Sequence, residues 1–261
     1  EVDIFGSVFF MLSRYEEAIV KEKDIHGRFP VKESFGYKSG FFGRPLVDEY
    51  VEILWACLKA LWPRVERKRR TYSLLLTHDV DIPFVAYGKS WAKILRNIGG
   101  DVVRRKDLAL PFDRIRCRMR NDPDIDPANT FSFLMDVSES YGLRSEFYFL
   151  VEHKTPLDGS NYSLKSMPIT KLLANIHNRG HKIGFHGSYS SFNMPEQIKM
   201  EFEKLISAVS RLGINQETWG GRQHYLRFTN PITWQGWEDA GLDYDSTLGF
   251  PDTIGFRCGT C

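Results

Sequence analysis

Two carboxylates one residue apart, Asp79 and Asp81, end a short apolar run in Thr77-His78-Asp79-Val80-Asp81. Such carboxylates are near neighbours, and ionising both costs free energy unless a cation lies beside them. A divalent metal bound by one would leave the other available as a base. Read alone, the pair is a capping Asp and a surface Asp, a common finish to a strand. His186 shifts that balance, because a histidine in the Gly-flanked segment Gly184-Phe185-His186-Gly187 is poorly explained as core. Asp, His and one further nitrogen ligand make a site that keeps a coordination position open for water. Two later segments, Arg222-Gln223-His224-Tyr225 and Asp243-Tyr244-Asp245-Ser246, add a guanidinium, an imidazole and more carboxylates. Tyr148, Trp219, Tyr225 and Trp234 have ring faces on which a ligand could stack, or else fill the core.

These residues need a frame that presents them together, and the pattern from residue 72 onward supplies one. Apolar runs at 72–77 and 146–151 read as buried parallel strands, 181–185 as a short third, and 242–246 as a further one. Helical segments at 129–141, 168–178, 195–212 and 231–240 separate them. Strands alternating with helices predict an α/β domain with a parallel sheet or barrel, whose reactive residues gather at the carboxyl ends of strands. Residues 84–128 interrupt the first unit with a basic, amphipathic insertion. No G-x-G-x-x-G follows the first strand, which sets a dinucleotide-binding fold aside.

Residues 1–70 read differently, as part of a smaller accessory domain ahead of a catalytic domain at 71–261. Asp3 can cap an apolar helix over 5–19. A connector at 24–43 lacks periodicity. Pro45 opens a second helix with Val47, Val51, Leu54, Leu58 and Leu61 on one side. Cys57 in that helix reads as a small buried hydrophobe. The basic run 64–70 reads as a solvated hinge, since it lacks the interleaved aromatics of a nucleic-acid patch.

Composition bounds the whole. The 261 residues are 42% hydrophobic, 14% aromatic and 26% charged, with a formal net charge of +2, the profile of an ordinary globular chain. That excludes a disordered chain, and it gives no global field to recruit nucleic acid. No apolar run approaches the roughly 20 residues of a membrane span. Cys258 and Cys261 have C-x-x-C spacing, with no second pair to complete a zinc site. The first residues carry neither a signal-peptide pattern nor an initiator Met, and the chain reads as a piece of a longer protein, its C-terminal end missing.

The ordered set Thr77-His78-Asp79-Val80-Asp81, Gly180-His181-Lys182-Ile183-Gly184-Phe185-His186, Arg222-Gln223-His224-Tyr225 and Asp243-Tyr244-Asp245-Ser246 resembles the motifs of polysaccharide deacetylases, the NodB-homology carbohydrate esterases. The resemblance covers residues 72–261. It implies a distorted (β/α) barrel, a divalent metal, and hydrolysis of N-acetyl or O-acetyl groups on a bacterial polysaccharide or glycan precursor. It also implies zinc first among metals, with Co, Ni or Mn as alternatives. By that resemblance Asp79 is the base, and Asp81 and His186 are metal ligands. Arg222 orients the base, and the backbone N–H of Tyr225 binds the oxyanion. The family places a second histidine four residues after the first, and Ser190 stands there in this chain. His224, in a place the family gives to proline, is the first candidate for the missing ligand. His78 and a water follow it, and a purely structural His224 is the alternative. The family's late histidine, the acid for the leaving group, has no counterpart after His224 and lies beyond residue 261 or is replaced. Two other functions remain open: a glycan-binding or scaffolding module whose catalysis has decayed, and a hydrolase of a small amide on the same fold.

Overall fold

The computed structural model describes residues 3–68, 71–159 and 162–260. Arg69 and Arg70 of the basic run, and Cys261 of the C-x-x-C pair, lie outside the described residues. The fold is mixed α/β, with five strands in one parallel sheet in the order β1 (Leu76–Val80), β2 (Ser145–Leu150), β3 (Lys182–Gly187), β4 (Gly220–Gln223) and β5 (Tyr244–Asp245). By contacts the chain forms two compact units. One comprises Leu74–His186 and Lys204–Glu217; the other comprises Glu1–Ser73, Gly187–Glu203 and Thr218–Cys261. No helix among the described residues is long and apolar enough to cross a membrane.

In the first unit β2 is the centre, paired in parallel with β1 on one side and β3 on the other. All six of its residues are buried, which is why Phe147 to Leu150 run without a polar alternation. Burying Phe147, Phe149 and Leu150 stabilises the unit by about 2–3 kcal/mol per side chain. Helix α8 (Met167–Asn178) buries Ile169, Leu172, Leu173 and Ile176, spaced three and four apart on one stripe. Helix α7 (Phe131–Ser140) contributes Phe131 and Met135. β1 begins four residues later than the apolar run predicts. Tyr72, Leu74 and Leu75 are exposed, and pairing starts only where Leu76 meets Ser145. Sheet register, not hydrophobicity, sets that boundary.

The insertion between β1 and α7 has its own small core. Helices α5 (Trp91–Gly100) and α6 (Ala109–Arg120) flank a π-helical turn at Asp101–Arg105. Ile94 and Cys117 pack with Ala86 beneath Tyr87, Ile98 and Ile125. The Asp126 carboxylate accepts from the N–H groups of Val85, Ala86 and Tyr87 at 2.7–3.0 Å, tying the two ends of the insertion together.

The second unit contains α1 (Ile4–Leu12), α2 (Tyr15–Ile19), α3 (Phe35–Lys38), α4 (Leu46–Leu61) and α10 (Ile232–Asp239), with β4 and β5. Helix α9 (Pro195–Ser210) has residues in both units. The single helix expected over 5–19 breaks at Arg14, whose φ of 51° is left-handed. The break turns a buried guanidinium inward. Arg14 Nε donates to Glu17 at 2.8 Å, and Arg257 Nη2 donates to the same carboxylate at 2.6 Å. Burial alone would raise the Glu17 carboxyl, yet the bonds and charges of Arg257 and Arg14 hold it below its usual range. In α4 the expected stripe is only partly covered: Val47 is buried, whereas Val51 and Leu61 are exposed. Cys57 is exposed too, contrary to its reading as a buried hydrophobe, because it lies off the Val47–Leu54–Leu58 stripe.

Candidate metal centre

Strand β1 alternates its side chains, so Thr77, Asp79 and then Asp81 share one face and His78 takes the other. The register confirms the split. His78 sits level with Phe147, and the two rings stack at 5.0 Å; its Nε2 is 3.1 Å from Ser145 Oγ. Burial pushes the His78 imidazole below its ordinary pKa. As a candidate ligand, His78 is therefore on the opposite face of the strand from the paired carboxylates.

His186 lies in β3, fully buried, and level with Leu150 of β2. Its Nε2 is 3.3 Å from Asp81 Oδ1 and 4.0 Å from Asp79 Oδ2. The first distance is long for a charge-assisted hydrogen bond, about 2.7–2.9 Å. It matches instead the separation of about 3.3–3.4 Å between two ligand atoms on a tetrahedral ion with bonds near 2.0–2.1 Å. The donor set thus fits a cation of the zinc type. Asp81 and His186, both in the first unit, can each offer a ligand atom to one such ion.

The loop after β2 fixes Asp81 from behind. Tyr162 donates its hydroxyl to the Val80 carbonyl at 2.8 Å. Burial first, and the Asp81 charge second, push the Tyr162 phenol well above its ordinary pKa. Gly159 has a φ of +73°, and a Cβ there would stand 2.6 Å from the Asp81 carbonyl oxygen. Only glycine fits both the turn and the approach.

Around Arg222, His224 and Tyr225 the second unit is tightly ordered. Arg222, in β4, donates through Nε to the Ser246 carbonyl at 3.2 Å. Asp245 is half-buried with its Oδ2 out of solvent, and that desolvation pushes its carboxyl up to about 6, against the opposing hydrogen bonds of Thr247 and the charges of Arg222 and Arg257. Gln223 donates to the Ser188 carbonyl at 2.6 Å and to Ser191 Oγ at 2.7 Å. His224 is buried at the strand end. Tyr225 and Leu226 both adopt left-handed φ, 60° and 54°, a strained pair of a kind that clusters at functional sites. Ser190 accepts from Gln197 Nε2 at 3.1 Å, and the same amide reaches Glu201 Oε1 at 2.7 Å. That buried network engages the serine that stands in the expected histidine's place.

Sequence reasoning missed the side chains that frame Tyr225. The His26 ring is 4.7 Å from it and the Tyr189 ring 5.3 Å, and His26 Nδ1 is 3.2 Å from the Tyr189 hydroxyl. Arg28 donates to the Tyr225 carbonyl at 3.1 Å. Asp24 Oδ1 shapes this turn by accepting from the N–H groups of His26 and Arg28, both at 2.8 Å. The Asp-x-His-Gly-Arg spelling of residues 24–28 was the available signal, an Asx-type turn inside a connector. Of the suggested stacking platforms, Tyr148 is wholly buried and its hydroxyl reaches Glu146. Trp219 packs on Phe202 and Trp234 on Phe228, while Tyr225 stays half-buried.

No curated protein and no solved structure matches the chain. Residues 1–63 match the model of a family of unknown function, DUF7033, so the N-terminal region is similar to a known but uncharacterised family.

Proposed function

We propose that the protein is a metal-dependent hydrolase of the polysaccharide deacetylase type, removing N-acetyl or O-acetyl groups from a bacterial polysaccharide or a glycan precursor. In this reading the parallel sheet is part of a distorted (β/α) barrel. The observation that carries it is the placement of Asp79 and Asp81 at 4.0 and 3.3 Å from His186. Two carboxylates so near one imidazole suit a bound divalent ion, zinc first.

Asp81, His186 and His224 are the proposed ligands, and the ion would polarise the acetyl carbonyl and acidify a bound water toward a pKa of ~7. Asp79 would act as the base, taking the proton of the attacking water as that oxygen adds to the carbonyl carbon. Arg222 keeps the Asp79 carboxylate ionised and aimed. The Tyr225 N–H donates to the carbonyl oxygen as it gains negative charge, a contact of a kind worth roughly 3 kcal/mol. The Tyr225 ring, backed by His26 and Tyr189, offers an aromatic face to the sugar.

The test is acetate release from acetylated glycans by the metal-loaded protein and its Asp79→Asn variant. Release that falls by two orders of magnitude or more in the variant, with metal content unchanged, supports the assignment. Equal release from both contradicts it.

A further inference from the structure

The insertion carries a chemistry that no part of the proposed hydrolytic site uses. Residues 89–120 hold ten Lys or Arg and three Asp, a net +7 in a chain whose total is +2. The same stretch leaves large apolar side chains in water: Leu95, Val103, Leu108, Phe112 and Met119 are 63% to 77% exposed. These are not stray. Leu95 stands four residues beyond the exposed Trp91 on α5, while Leu108, Phe112 and Met119 follow one stripe along α6. On α6 the buried Cys117 lies on the side opposite that stripe, and on α5 the buried Ile94 is a quarter-turn from Leu95. Helices with cations beside an unburied apolar stripe lie at membrane interfaces.

A cavity of about 730 Å³ opens within the same element, lined by Arg96, Arg104, Arg105 and Arg114. Asp101 neutralises two of these, with Arg114 Nε at 2.5 Å and Arg105 Nη1 at 2.8 Å. Arg96 and Arg104 pair with no carboxylate among the described residues, so their guanidinium groups are available to a phosphate.

We infer that the helical insertion at residues 89–120 docks the protein on an anionic membrane surface, apolar stripe in the headgroup layer and arginines on lipid phosphates. At ten and twelve residues, α5 and α6 are too short to span a bilayer and lie along it. Nucleic acid would satisfy the arginines but gives no reason for exposed Leu108, Phe112 and Met119. The element is also held in shape before it binds, by Asp101 and by the Asp126 carboxylate, which lowers the ordering cost of association.

The experiment is flotation of the full chain with phosphatidylcholine vesicles, with and without phosphatidylglycerol, beside a duplex RNA titration at the same salt. Binding to the anionic vesicles should exceed that to the neutral ones. Each Lys or Arg at such a surface contributes about fivefold, so Arg104→Gln, Lys106→Gln and Arg116→Gln together should weaken it on the order of 100-fold. Phe112→Ser with Met119→Ser should weaken vesicle binding at least ~10-fold while leaving RNA binding unchanged. All five positions are exposed, so melting temperatures should hold. No preference for anionic vesicles overturns the inference. So does vesicle binding that survives loss of Phe112 and Met119, which would mark a plain polyelectrolyte surface.

Discussion

Substituting Gly159 by alanine separates backbone strain from the support of Asp81. The left-handed φ of +73° costs an alanine about 1 kcal/mol, as at any such turn. The added methyl also meets the Asp81 carbonyl oxygen at 2.6 Å, a backbone atom that cannot swing aside. Relieving that overlap moves the Asp81 backbone or the loop, adding about 1–3 kcal/mol. The total of roughly 2–4 kcal/mol should lower the melting temperature by about 5–12 °C in a protein of this size. Gly142→Ala is the control: its φ is +68°, and nothing lies within 4 Å of the new methyl. Only the first cost applies there, a shift of about 2–4 °C. Calorimetry of both variants reads the difference, and a chelator competition reads whether zinc affinity falls in Gly159→Ala alone. Equal melting shifts with unchanged zinc affinity would refute the claim that this loop backs the metal ligand.

Other consequences follow from buried charge and from thiol placement. Arg257→Met leaves Glu17 buried with one cation fewer, and should destabilise the protein by about 3–5 kcal/mol in urea unfolding. Asp245, raised in the folded state to about 6 from 3.8, makes a contribution complete below pH 4 and lost as pH rises through 6. Between pH 4 and 7 the wild type should therefore lose stability, of order 3 kcal/mol at most, relative to Asp245→Asn; parallel melting curves across that range would contradict the burial. Thiol labelling of the native protein should modify exposed Cys57 rapidly and leave Cys117 unreacted, since burial and Asp126 push that thiol up to about 12.

Much of the frame was legible because buried parallel strands write themselves as apolar runs: β2 and β3 fall within two residues of their expected positions. β1 was harder, since Tyr72, Leu74 and Leu75 are apolar yet exposed and only pairing with Ser145 marks the true start. That shift carries chemical weight, as it places Asp79 inside the strand and turns His78 to the opposite face. The D-x-D pair and His186 were legible as residue types at strand ends. His26, Tyr189 and Arg28 were not, because they reach Tyr225 through contacts spanning up to about two hundred residues, and no local pattern encodes them. The exposure of Cys57 was misread for a related reason: an apolar neighbourhood in sequence does not say which helix face is covered.

The central claim is that Asp81 and His186 bind a divalent ion, and metal analysis of the purified protein tests it most directly. After loading with zinc and removal of excess, elemental analysis should give one ion per chain. Asp81→Ala and His186→Ala should each abolish that stoichiometric ion, and His224→Ala should weaken zinc about 10-fold or more in a chelator competition. Ser190→Ala, which removes a hydroxyl that accepts from Gln197, should change the affinity little. Full zinc occupancy in both Asp81→Ala and His186→Ala would contradict the account.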